Sequence, residues 1–231
     1  MPSVSRASSK AAKPRSSRAR GGAGASGAAS SERARRRDAE VLAAATKVFY
    51  DKSYADSSVQ DVADELGILK GSLYHYIKTK EDLLSWLVQD VHDDVEGILA
   101  EVQAVEGLDP LDRLELYIRK QIVYNAKSIP RITVYHHDAD QLSAVPRKEL
   151  RARQKHSEQF VIDLISEAQA RGEVSPSADA KLLSNCVFAT MIWMYRWFKP
   201  GGRVSIDELT EVCVGYAMAG VRGYQGAGPK A

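Results

Sequence analysis

Cysteine is nearly absent from this sequence: Cys186 and Cys213 are the only two in 231 residues. Both fall inside apolar helical patterns, and buried free thiols in a reducing cytoplasm are their expected state. Long apolar runs are missing as well. Nothing approaches the roughly 18 residues of a membrane-crossing helix, and the N-terminus lacks the apolar core of a secretory signal. A cytoplasmic protein with no membrane partner is therefore expected. Alternating strands bounded by turn residues are absent, as is any internal repeat. Catalytic signatures are absent too, with no nucleophile elbow and no paired catalytic carboxylates. His136, His137, Asp138 and Asp140 crowd together, but adjacent residues diverge on a helix and lack the i, i+4 spacing of helical metal sites. "GGAGASG" is followed by no Lys-Ser/Thr and preceded by no strand, so it is not a phosphate loop. No enzyme, cofactor or metal is expected.

What is present is charge, unevenly placed. Residues 1–37 carry ten Lys or Arg and one acid, Glu32. They sum to +9, which leaves −7 for the rest of a chain of net charge +2. A basic arm on an acidic body suits an anionic polymer at that end; a solubilising tail would carry the same charge. Residues 1–30 have almost nothing to bury and read as a disordered tail.

Beyond Glu32 the period is helical throughout, and the fold class is all-α. Val41, Ala44, Ala45, Val48 and Phe49 form one stripe. A short helix follows, capped at Ser57 or Ser58 with Asp61 completing a capping box, and closed by Gly67. Leu69 to His75 reads as a third helix, after which Thr79 caps a long fourth with Asp82 at its third position. Amphipathic helices continue through Val102, then from Leu111 to before Pro130. A broken segment runs from Arg131 to Leu142, and Pro146 opens a helix ending near Arg171. Leu182 to Trp197 and Ile206 to Gly220 supply the last two.

Two short helices joined by a glycine-containing turn and braced by a longer one have helix-turn-helix geometry. The second helix of such a unit enters the major groove, which displays each base pair's donors and acceptors. Gly71 keeps that surface low, while Lys70 and Ser72 are donors for base edges. Tyr74, His75 and Tyr76 bring polar tips to phosphate height, and Lys80 can neutralise a phosphate. Ser58 and Gln60 complete the candidate set. Bland readings stand beside these: Tyr74 or Tyr76 as packing rings, Lys78 as solvated surface.

The stretch "SSVQDVADELGILKGSLYHYIKTKEDLL" resembles the DNA-binding signature of the TetR family of bacterial transcriptional repressors. The match rests on Ser57/Ser58, Val62-Ala63, Leu66-Gly67, Gly71, Leu73-Tyr74, Tyr76, Lys80-Glu81 and Leu83. The resemblance implies a DNA-binding domain over residues 31–78 and a helical ligand-binding and dimerisation domain over 79–222, with residues 223–231 as a tail. It also implies a homodimer on a palindromic operator, built on the last two long helices. Two departures stand out. Residues 38–80 hold five basic and seven acidic residues, and Tyr76 stands where many relatives have Phe.

"WMYRWFKPGGRVSIDEL", with "HHDADQLS" and "RQKHSEQFVIDLISEAQARGEV", is similar to TetR-type regulators of sterol and lipid catabolism. That likeness implies an acyl-CoA thioester as effector. Trp193, Arg196 and Trp197 would lie together on one helix, with Arg147 and Arg151 as further guanidinium groups for phosphates. The tryptophans read equally well as core or dimer interface, and the arginines as solvated surface. Other effector classes (a hydrophobic drug, efflux control), a mainly non-specific nucleic-acid-binding protein, and an enzyme or carrier on a helical scaffold stay open at this point.

Overall fold

The computed structural model describes residues 23–225, and among these there is no strand. No helix among them is long and apolar enough to cross a membrane. The chain divides into two units, residues up to Asp38 and those from Ala39 onward. Helix α1 (Ala23–Lys52) begins eight residues inside the stretch expected to lack structure. Alanine is the strongest helix former, and "AGASGAASS" supplies enough of it to extend the helix backward. Residues 1–22, and the tail beyond Gln225, lie outside the described residues.

Helix α2 (Val59–Glu65) opens on the expected capping box. Asp61 N–H donates to Ser58 Oγ at 3.2 Å, and Ser58 N–H donates to the Asp61 carboxylate at 2.7 Å. It closes at Gly67, whose φ of +65° is a left-handed conformation that costs glycine little. Ile68 N–H then reaches Ala63 O and Gly67 N–H reaches Asp64 O, the paired bonds of a Schellman end. Helix α3 is shorter than expected, Lys70–Leu73, and tightens into turns through His75, Tyr76 and Ile77. Gly71 in so short a helix offers poor propagation. Leu73, fully buried, pins α3 to Val41, Val62, Leu83 and Leu87 in a shared core.

Helix α4 (Lys80–Gln103) starts with a second capping box, Thr79 with Asp82. Then come α5 (Pro110–Lys127), α6 (Ile129–Asp138), α7 (Ala144–Ala170), α8 (Ala180–Ile192) and α9 (Ile206–Gly223). Three expectations need correcting here. The segment 131–142 is helical as α6 and a 3₁₀ turn, because Pro130 occupies a first-turn position where its missing N–H costs nothing. For the same reason α7 begins two residues before Pro146. Helix α8 stops at Ile192, and Trp193–Arg196 form a 3₁₀ turn. Near that change Asn125 Nδ2 donates to Met191 O at 3.0 Å, drawing on a carbonyl of the last α-helical turn.

The cores of this second unit are continuous across sequence-distant helices. Ile132, Tyr135, Leu142 and Leu150 pack with the α1–α4 core, while α5, α7, α8 and α9 bury a second cluster around Tyr117, Ile118, Val161, Ile165 and Met191. Cys213 is buried as expected, but Cys186 is exposed on α8, at the margin of the stripe that buries Leu183, Ser184 and Val187.

Candidate functional sites

The α3 region presents Lys70, Gly71, Ser72, Tyr74, His75 and Tyr76 to solvent around the buried Leu73. A Cβ on Gly71 would meet nothing within 4 Å, and its φ is not positive, so nothing inside the protomer requires glycine there. The acidic excess of this region is partly offset sideways: Lys47 pairs with Glu65 and Lys52 with Asp61, each at 2.6 Å. Lys52 and Ser58 together hold the Asp61 carboxyl down at about 2. Among the described residues, Lys70 and Lys78 enter no ion pair.

Three members of the candidate set have internal duties. Ser58 is the α2 cap. Gln60 Nε2 donates to Asp64 at 2.7 Å. The Lys80 ammonium is aimed inward, donating to Tyr54 O and Ser57 O, with Ala55 O at 3.5 Å, and it sits 4.2 Å from the Tyr54 ring centroid. Burial lowers its pKa despite nearby acids. In this arrangement Lys80 staples the α1–α2 loop to the start of α4, and its charge is spent on carbonyls rather than held out for a phosphate.

Deeper in the chain lies a cavity of about 530 Å³, bounded by α4 to α8 and Trp193. Its walls include Val91 and Val95 from α4, Ile132 from α6, and Phe188, Ala189 and Ile192 from α8. Several of its polar groups are tied to one another. Tyr135 Oη lies 3.1 Å from His92 Nε2 and accepts from Gln154 Nε2 at 2.8 Å. Gln121 Nε2 donates to Asn125 Oδ1 at 2.9 Å. Since Met191 O can only accept, Asn125 must present its NH₂ there and its oxygen to Gln121, which fixes both amide orientations.

Electrostatically the cavity is close to neutral. Burial depresses His92 to about 4, assisted by the Arg153 charge. His136 is also held at about 4, by burial and by His137. Burial raises the Tyr135 phenol to about 12. No lysine or arginine lines the space, and Glu158 is its only carboxylate. Such a cavity receives an uncharged, largely apolar body and offers it a few fixed hydrogen-bonding groups.

Of the residues expected around a ligand, only Trp193 lines this space, and it is 61% exposed. Arg196 lies outside, bonded to His137 Nε2 at 2.9 Å and 5.7 Å from the Trp193 ring. Trp197 is half exposed beyond the 3₁₀ turn, because α8 does not continue to carry it. Arg147 approaches Asp140 O at 3.5 Å, and Arg151 is exposed; neither faces the cavity. Sequence reasoning passed over His92, Gln121, Asn125, Tyr135 and Gln154. The available signal was a polar residue within an apolar stripe: His92 between Val91 and Val95, and Gln121 with Asn125 one turn apart beside Ile118 and Ile122.

Helix α6 also reaches the α1–α2 loop. Two residues beyond His136, Asp138 is buried beside Tyr54; burial raises its pKa against the pull of the Tyr54 N–H and the Lys80 charge. Ser143 N–H, following α6, donates to Glu81 at 2.8 Å.

Two family models match the chain: residues 41–86 match "Bacterial regulatory proteins, tetR family", and residues 107–221 match "Tetracyclin repressor-like, C-terminal domain". The HTH-type transcriptional repressor KstR2 of Mycolicibacterium smegmatis is 28% identical over 197 residues, covering 85% of this chain and 95% of that one. The crystal structure of AibR in complex with isovaleryl coenzyme A and operator DNA superposes with a TM-score of 0.70 at 27% identity, covering 76% of this chain and 95% of that one. The ketosteroid transcriptional regulator KstR2 of Mycobacterium tuberculosis, at 23% identity and a TM-score of 0.75, covers 80% of this chain and 95% of its own and shares the fold.

Proposed function

The chain belongs to the tetR family of bacterial regulatory proteins, and on that premise we propose that it represses transcription as a homodimer released from operator DNA by an acyl-CoA thioester. One observation carries the reading: α6 forms a wall of the cavity and also ends against the α1–α2 loop and the start of α4. The same helix therefore meets a ligand and supports the DNA-reading head. An effector that favours a shifted α6 moves the two heads of a dimer off the spacing of about one DNA turn, by its differential affinity alone.

Support for a DNA-reading role comes from Lys70, Ser72, Tyr74, His75 and Tyr76 standing exposed around a glycine that the fold itself does not need. Support for a dimer comes from α9, where Val212, Gly215, Tyr216 and Ala219 form an exposed apolar stripe, and from exposed Leu182 on α8. A stripe of that kind asks for cover.

For the effector, the neutral cavity suits an acyl group or ring fragment, while its polyphosphate would lie outside, near Arg196 and Trp193. The solved complex of AibR with isovaleryl coenzyme A is a relative's precedent for that class. A lining whose one carboxylate is Glu158 equally fits a hydrophobic effector with no phosphate handle, so the test must separate the two. Operator-bound protein is titrated with an acyl-CoA and with the matching free acid, for wild type and for Arg196→Ala. Release by the thioester at lower concentration than the acid, with that advantage reduced in Arg196→Ala, supports the thioester. Equal release by both forms, unchanged by the variant, assigns the effector to the uncharged class.

A further inference from the structure

Leu69 is 80% exposed, the most exposed of the large hydrophobic residues described. It occupies the N-cap of α3 with extended backbone (φ −70°, ψ 141°) and makes no side-chain cap bond. Leucine is among the poorest residues for that position and serine among the best. The side chain thus forgoes a cap bond and leaves its methyl groups in water, and nothing within the protomer repays either loss. Its neighbours show that this is not a failed core position: Ile68 is partly buried and Leu73 completely buried, while Leu69 stands on the other side with Lys70, Gly71 and Ser72. A residue that breaks local rules without return in the folded chain points to a return in a complex.

We infer that Leu69 is a specificity-determining residue that packs on the C5-methyl group of a thymine in each operator half-site. This rests on the DNA-binding reading above. The thymine methyl is the apolar feature of the major-groove edge, and aliphatic side chains recognise it by contact alone. Lowered by Gly71, the adjoining backbone lets a leucine of ordinary length reach it.

The experiment begins with selection of an operator from a randomised duplex library by the full-length protein. Each thymine of that operator is then replaced by uracil, which removes the methyl group and keeps every hydrogen-bonding atom. One symmetry-related pair of thymines should respond. Burial of one methyl is worth about fourfold in affinity per half-site, and roughly fifteenfold for both. Leu69→Ala should bind the thymine and uracil operators alike, with the response at all other positions unchanged. Leu69→Ser should do the same while melting at or above the wild-type temperature, because serine can cap α3. If no sequence is enriched, the DNA-binding reading itself fails. An enriched operator at which uracil is tolerated everywhere overturns the role of Leu69, as does discrimination that persists in both variants.

Discussion

The α3 surface and the α4–α8 cavity are built on opposite plans. On α3 the candidate side chains come from one run of seven residues and are exposed, and they hang on one buried anchor, Leu73. The cavity gathers its polar groups from five helices, from His92 on α4 to Asn185 on α8, and His92, Gln121, Asn125 and Tyr135 among them are also part of the core. The contrast implies different vulnerabilities. A change on α3 should affect recognition without touching stability, whereas a change in the cavity network should disturb both.

The largest effect is expected at Gly71. Gly71→Val places a branched side chain in open space on the protomer, at a backbone conformation valine accepts. Melting should stay within a degree or two of wild type, while operator affinity falls by at least tenfold because the backbone can no longer come close. A parallel fall in melting temperature would break the comparison. Asn125→Ala tests the other side. It removes a buried donor and acceptor at once, leaving Gln121 and Met191 O short of partners, at about 1–3 kcal/mol. Thermal unfolding should show that loss, and effector titration a matching loss of response. Intact stability would mean the network is dispensable.

Next comes pH. His92 and His136 are held at about 4 in the folded chain, below the usual 6.5. The unfolded chain binds protons first, so this contribution to stability is complete above about pH 6.5. It declines as pH falls towards 4, by on the order of 1–2 kcal/mol per histidine at pH 5. Denaturant melts at pH 7 and pH 5 measure the slope, and His92→Gln should flatten it. The smallest effect is expected at the α2 cap: Ser58→Ala should cost about 1 kcal/mol in the same melts.

The difference in plan also explains what could be read from the sequence. Caps and turns are local, so Ser58 with Asp61, Thr79 with Asp82, and Gly67 appeared in order. The internal bonds of Lys80 are not legible in the sequence, because its partners, the carbonyls of Tyr54 and Ser57, are more than twenty residues away and leave no trace in composition. The cavity lay beyond reach for the same reason. The sequence pattern runs one helix through Trp193, Arg196 and Trp197, whereas α8 stops at Ile192 and Trp193–Arg196 form a 3₁₀ turn, a change that the local apolar period does not reveal. The basic arm is legible by charge alone, and the structure adds only that residues 23–37 of it are helical.

Helix α8 has one further consequence. Its Asn185, Phe188 and Ile192 border the cavity, while Leu182 and Cys186 stand exposed, as does the stripe of α9. If two protomers meet across that stripe, a ligand filling one cavity presses on a helix the neighbour also touches. The two cavities of a dimer would then not titrate independently. Effector binding should follow a curve with a Hill coefficient away from one, steep or shallow according to whether the first ligand readies α8 for the second or braces it against it.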